Sequence, residues 1–507
     1  MHLRAIRFAA ILLFSASFVW FSLAANRDAN RTAQGTEFYF HHDHVIGTSL
    51  DVWLTANSES NAELAEAAIL NEIERLRKIF SLYDDTSELS RLNRTREPMV
   101  VSAEMLEVLR LYEYHQDRSH GAFNGQLGSV IQAWKDAERT QRLPDEATLS
   151  RLANEIRTRG WRIDEVNRTV TRITDQPLNL NAIAKGFIIQ KAAAAALAKV
   201  ESMTGMLLNL GGDMFAWGLG DTVGVQDPRQ PQDNAPMIAH VRLHHQAIAT
   251  SGGYERYYTI QGNRYSHLFD PRTARPADAA LSATVIARDN VTANALATTL
   301  CVLAPEDGLR LIANTPGTEC LLMLKDGSML RSAGFAAIES PRPKLESPVA
   351  LQAKDKVNAW PDGYQVNFTI TLPTIVAKKY RRPYVALWLE DADGKPVRTV
   401  TVWGNNPRWI KDLPQWWRFA KNDGALVKSV SRATRVPGKY SVVWDGKDDN
   451  GTSLPRGTYT VWVEVHREHG KLVRQTGKLT CGAEPANLTL AANAETGATL
   501  VDYAKKK

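Results

Sequence analysis

A chain of 507 residues with 44% hydrophobic content can bury a large core and is long enough for two domains or more. Its net charge of +6 drops by two without Arg4 and Arg7, and its cations are interspersed with acids, so charge gives no argument for nucleic acid as a partner. Three cysteines, Cys301, Cys320 and Cys481, exclude a fully paired disulfide framework and a cysteine zinc motif; Cys301 and Cys320 sit in apolar runs and read as core.

Arg4 and Arg7 precede an apolar run over 8–24 that ends in Ser22-Leu23-Ala24. This is the pattern of a signal peptide or anchor over 1–24, and it predicts export. Residues 37–55 alternate as a strand. On it His42 and His44 share one face and His41 points away, with no second cluster at ligand spacing. Ile69, Ile73, Leu76 and Phe80 recur at helical spacing. A turn-rich stretch, SLYDDTSELSRLN at 81–93, follows, and then a helix over about 102–117. Gly121-Ala122-Phe123-Asn124 reads as a loop suited to touching a flat ring.

The stretch LNLNAIAKGF at 178–187 reads as a short strand, then a loop carrying Lys185, then an Ala-rich helix from Gly186 to about Lys199. Backbone N–H groups at a helix start, beside a lysine, suit a phosphate or pyrophosphate. Gly211-Gly212-Asp213 follows the strand 206–210 and lets a ligand approach the backbone closely. Neither a GxxxxGK[ST] loop nor a GxGxxG opening a helix is present. Further on, 257–260 and 265–267 read as a hairpin ending at His267, and 281–287 as a strand. In a helix over about 292–303, Asn294 and Thr298 share a face. With a backbone carbonyl from the Ala182 loop they offer oxygens to a hard cation such as Mg²⁺, although from spacing alone an Asn in a first turn and a Thr bonded to its own helix is the favoured account.

After about 336 the composition changes. SPRPKLESP at 340–348 is a linker, and from 363 short alternating strands separated by Asp-Gly, Asp-Asn-Gly and Pro-Arg-Gly turns predict an antiparallel β-sandwich. Trp403, Trp409, Trp416 and Trp417 are candidates for a binding patch or for packing.

Seven blocks, SLYDDTSELSRLN, GAFN, LNLNAIAKGF, LLNLGGD, AIATSGGYER, YSHLFDPRTARP and ANALATTLCVL, occur in the order of the FAD:protein FMN transferases, the ApbE-like family, which residues 35–335 resemble. The resemblance implies an α+β flavin-transferase domain (mixed sheets with packed helices) over 33–338. A linker at 339–362 and an all-β, immunoglobulin-like sandwich over 363–507 follow, the latter similar to domains fused behind such enzymes. It also implies an enzyme that splits FAD, attaches FMN to a Thr or Ser of an acceptor protein and releases AMP, with metal assistance. By the same carry-over, Tyr83, Ala122, Phe123, Asn124, Asn179 and Lys185 contact the nucleotide. Ala182, Asn294 and Thr298 hold Mg²⁺, and His267 takes the acceptor's proton. The expected location is the periplasm or the periplasmic face of the inner membrane.

The chain departs from the family in carrying Asn at 124, 179 and 294, where Asp is usual. That leaves a second reading open: a non-catalytic flavin-binding or self-flavinylated electron-transfer protein with an eroded metal site. Residues 495–500, Glu-Thr-Gly-Ala-Thr-Leu, are similar to the acceptor sequence of these enzymes, which makes Thr499 a candidate acceptor, and Ser431–Thr434 is a weaker echo.

Overall fold

The computed structural model describes residues 35–340 and 359–506, apart from short stretches at 219, 231–236, 255, 377–379, 405–408, 424–425, 428–429 and 433. The expected export segment and most of the expected linker lie outside the described residues.

The first half is built on one eight-stranded sheet: β1 (Thr36–Val45), β2 (Thr48–Ala56), β3 (Gly205–Leu210), β4 (Asp213–Gly218), β5 (Gln246–Gly252), β6 (Ser282–Ala287), β7 (Glu319–Met323) and β8 (Met329–Arg331). These strands lie side by side in chain order, and each neighbouring pair is antiparallel. The β1–β2 connection turns through Ile46 and Gly47 at φ 45° and 85°, the paired positive φ values that match the right-handed twist of a tight hairpin.

Helix α1 (Glu59–Phe80) starts where the Ser58 hydroxyl accepts the Asn61 N–H. Its stripe of Ala62, Ala65, Ile69, Ile73 and Leu76 is buried with Val52 and Leu54 of β2 and with the apolar face of α2 (Asn181–Lys199). Ala192, Ala193 and Ala196 are all buried on α2, and side chains this small let neighbouring elements approach closely. Alanines and Val285 of β5 and β6 form a second core with Leu296, Leu300 and Cys301 of helix α3 (Asn290–Leu300) and its end. All three cysteines are buried and free, and burial pushes the Cys301 thiol up to about 12.

The predicted helix at Gly186 in fact begins five residues earlier, at Asn181. Leu180 at the N-cap offers no side-chain oxygen, but the Asn179 Oδ1 accepts the Asn181 N–H at 3.2 Å. The usual start signal is displaced by one position, so Lys185 stands within the helix rather than on a loop.

The C-terminal region holds two sheets. Gly438–Trp444, Tyr364–Leu372, Thr499–Lys505 and Ala486–Leu490 form one; Ser431–Arg432, Pro396–Trp403, Tyr384–Glu390, Gly457–His466 and Val473–Cys481 form the other. Val366, Phe368 and Ile370 from the first share a core with Val385, Leu387, Val461 and Val463 from the second, so this is a β-sandwich. Of the two readings of the tryptophans, packing holds, and one sequence expectation, at Thr499, is corrected. Trp403 and Trp416 are fully buried, so the four tryptophans form no exposed patch; Trp416 and Trp417 pack with Trp388 and Trp462. Thr499 is likewise fully buried. It opens the last strand and donates its hydroxyl to Gln475 Oε1 at 2.6 Å, which leaves no accessible acceptor hydroxyl. Among the described residues no helix is long and apolar enough to cross a membrane.

Candidate active site

The β3–β4 turn passes through Gly211 and Gly212, both at positive φ, and a Cβ on Gly211 would lie 2.4 Å from Thr48 Oγ1. Glycine is required there for both reasons. The turn delivers Asp213, a carboxylate only 4% exposed. Its Oδ2 lies 2.5 Å from Lys185 Nζ, and the same ammonium reaches the Gly211 carbonyl at 3.5 Å. Burial pushes the Asp213 carboxyl up, while the Lys185 charge and the Asn294 amide oppose that shift.

Asn294 arrives on α3, which meets α2 at Gly186. A Cβ on Gly186 would stand 2.5 Å from the Asn290 carbonyl oxygen and 3.2 Å from Asn294 Cγ. Asn294 is buried and turned toward Asp213, yet its Nδ2 closes no well-formed hydrogen bond. Gly186→Ala is expected to force the two helices apart and to cost about 1–3 kcal/mol, read as a lower urea midpoint at unchanged slope. An unshifted midpoint would mean that the contact relaxes without strain.

One turn beyond Asn294, the Thr298 hydroxyl is 3.3 Å from Ser251 Oγ on β5. Ala182 occupies the first turn of α2. The N–H groups of Ala182 and Ile183 face the buried Tyr112 hydroxyl, so this helix start serves a phenol rather than standing open to a phosphate.

The 122–124 loop is braced rather than exposed. Ala122 and Phe123 are each 1% exposed, and Phe123 stacks on Tyr112. Asn124 Nδ2 donates to the Ile156 carbonyl at 2.8 Å while its Oδ1 accepts the Gln126 N–H at 2.7 Å. An aspartate could not make the first of these bonds. Asn179 joins this loop to α2, since its N–H donates to Gly125 O at 2.7 Å. Tyr83 is 93% exposed, ahead of a helix (Glu88–Arg94) whose Asn93 side chain bonds both the N–H and the carbonyl of Leu178.

His267 follows the hairpin strand Asn263–Ser266 and is half-buried. Its Nδ1 lies 3.0 Å from the Arg256 carbonyl. A carbonyl only accepts, so Nδ1 carries the proton and Nε2 is left with its lone pair. Burial holds the imidazole below its usual range, against the opposing pull of the Arg256 carbonyl.

The fold thus brings Lys185 and Asn294 together on Asp213. It joins Thr298 to the strand end that runs into Gly252 and Gly253. A Cβ on Gly253 would touch Ser266, beside His267, so that loop links the histidine to Thr298 without direct contact. Asp213 was not among the sequence candidates; its signal was a single acid directly after Gly-Gly at a strand end. His41 and His42 pair with Asp51 and Glu66 respectively, each at 2.7 Å. Among the described residues no group of three His, Cys, Asp or Glu side chains could hold a metal.

An antiparallel α+β domain with a lysine–carboxylate–amide cluster where two helices meet a glycine turn is the class that fold and site define. The chain belongs to the ApbE family, whose family description matches residues 46–322. Residues 365–498 match a second family, described as a predicted periplasmic protein (DUF2271). A protein of Treponema pallidum named FAD:protein FMN transferase is 29% identical over 322 residues, covering 59% of this chain and 87% of its own. One of that name from Rhodobacter capsulatus is 28% identical over 343 residues, 63% of this chain and 62% of its own. The crystal structure of the ApbE protein of Thermotoga maritima superposes with a TM-score of 0.55 at 28% identity, covering 60% of this chain and all of that one. The apo flavinyl transferase ApbE of Pseudomonas stutzeri, at 21% identity and TM-score 0.51, shares the fold over 61% of this chain and all of its own.

Proposed function

We propose that this chain is a FAD:protein FMN transferase acting in the periplasm, and that the cluster of Lys185, Asp213 and Asn294, with Thr298 on α3 and His267 beyond the adjoining loop, is its active site. The observation that carries this reading is the pairing of part-exposed Lys185 with buried Asp213 at the glycine turn, on a chain whose relatives bear that activity in their names.

In the reaction, an acceptor Thr or Ser hydroxyl attacks the phosphorus of the FMN half of FAD. The pyrophosphate P–O bond breaks and AMP leaves with the bridging oxygen. The hydroxyl proton goes to His267 Nε2, which the Arg256 bond leaves unprotonated. Lys185, 32% exposed on its side chain, offers its ammonium to the phosphates. In this reading exposed Tyr83 covers the flat ring, and the 122–124 loop offers backbone groups, its side chains being buried. A divalent cation such as Mg²⁺ fits the chemistry of the donor set, because the Asn294 Oδ1, the Thr298 hydroxyl and the Ala182 carbonyl would each offer a hard oxygen. When bound, such an ion neutralises phosphate charge.

The acceptor in this reading is a separate protein, since the Thr499 hydroxyl is buried and bonded. A second reading, flavin held without turnover, is favoured by one observation: Asn294 brings no charge to the cluster. The other two asparagines do not add to it, because Asn124 is a loop brace and Asn179 Oδ1 supports the start of α2.

The test is incubation of the full chain with FAD, Mg²⁺ and a Thr-containing acceptor peptide. AMP release matched by an FMN-bearing peptide, abolished by a chelator, is the expected result. FAD bound intact, without AMP, overturns the transferase in favour of the second reading.

A further inference from the structure

Asp213 stands as a problem in electrostatics. A carboxylate 4% exposed is costly to keep charged unless a cation accompanies it, and the one placed there is the ammonium of Lys185. Lys185 sits on a flexible stem and is about one-third exposed, so it reaches the carboxylate from the solvent side. Beside the pair, Asn294 is buried and uncharged, and only its Oδ1 could be offered to a cation. The proposed site therefore holds one negative charge, and that charge is already neutralised by an amine.

We propose that Asp213 is the anionic ligand of the divalent-cation site, that Lys185 occupies it as a stand-in until nucleotide binds, and that the two cations exchange. This rests on the transferase reading and assigns the charge that Asn294 lacks. When the phosphates of FAD arrive, the Lys185 ammonium turns to them and leaves Asp213 open, and the divalent ion takes its place. The buried carboxylate is thereby never left bare. Dinucleotide and divalent ion then bind with positive, reciprocal coupling, because each removes an obstacle to the other.

The probe is Mn²⁺, followed by electron paramagnetic resonance of the free ion at pH 8, with and without FAD. Calorimetry of FAD alone runs in parallel, and the melting temperature serves as a check of folding. Wild type is expected to bind Mn²⁺ at least about 10-fold more tightly with FAD than without, an effect in the ordinary range for coupled sites. D213N is expected to lose about 10-fold or more of Mn²⁺ affinity in both states. K185M is expected to bind Mn²⁺ about 10-fold more tightly than wild type without FAD, since the competing charge is gone. N294D, which adds a carboxylate, is expected to tighten Mn²⁺ binding.

Mn²⁺ affinity in D213N within about twofold of wild type overturns the assignment, being far short of the loss typical at a metal site. If D213N does not fold, K185M decides, and no tightening without FAD overturns the exchange. Failure of wild type to bind FAD at all would instead count against the transferase reading, so the two failures are distinct.

Discussion

His267→Ala is expected to slow FMN transfer about 10²- to 10⁴-fold, the usual worth of a positioned general base. FAD binding should persist, because in the proposed mechanism the imidazole takes the acceptor's proton rather than carrying the nucleotide. His267→Gln separates the base from its scaffold. Its amide can still donate to the Arg256 carbonyl, which restores the local bond but supplies no proton acceptor, so the glutamine variant should be nearly as slow.

The pH profile gives a second readout. Burial disfavours the imidazolium and lowers the pKa of His267 below its ordinary value of about 6.5. The competent neutral form therefore persists as pH falls through that value, and the acid limb of the wild-type rate should lie below it. The same shift has a stability consequence. Between the two pKa values the unfolded chain binds the proton and the folded one does not, so stability is present above the unfolded value and declines as pH falls. An activity that survives both substitutions with an unchanged pH profile would remove His267 from the mechanism.

The second large effect is expected in the C-terminal sandwich. Glu464 is completely buried in the sandwich, where its carboxylate accepts the N–H groups of Gln415 and Trp416 and the Nε of Arg474 at 2.8–3.2 Å. Those two N–H groups open the short helix Pro414–Ala420, so the acid serves as its distant N-terminal cap. Arg474 is 40% exposed and can rehydrate, but the amides cannot. Glu464→Ala should cost about 2–6 kcal/mol, from one buried and one partly buried donor at about 1–3 kcal/mol each. Glu464→Gln, which keeps an acceptor oxygen, should cost less. Urea unfolding of the full chain, followed by tryptophan fluorescence, measures both. A loss under about 1 kcal/mol would mean that the amides find other partners.

Neighbouring residues already disclosed much of this molecule. Apolar spacing at Ile69, Ile73, Leu76 and Phe80 set α1, and alternation over 364–372 set a sandwich strand, because each pattern follows from the repeat of a single element. The ordered motif blocks likewise announced the family and the α+β class.

What a side chain does once buried depends on partners distant along the chain, and only the tertiary structure decided that. Asn124 read as a weakened acid is a brace, because the Ile156 carbonyl lies opposite its amide. Thr499 read as an acceptor is sealed by Gln475 from another strand. Asp213 gained its importance when α2 and α3 met at Gly186 and set a lysine and an amide beside it. Periodicity is a property of adjacent residues, whereas burial, pairing and charge neutralisation belong to contacts that the chain makes only when it folds.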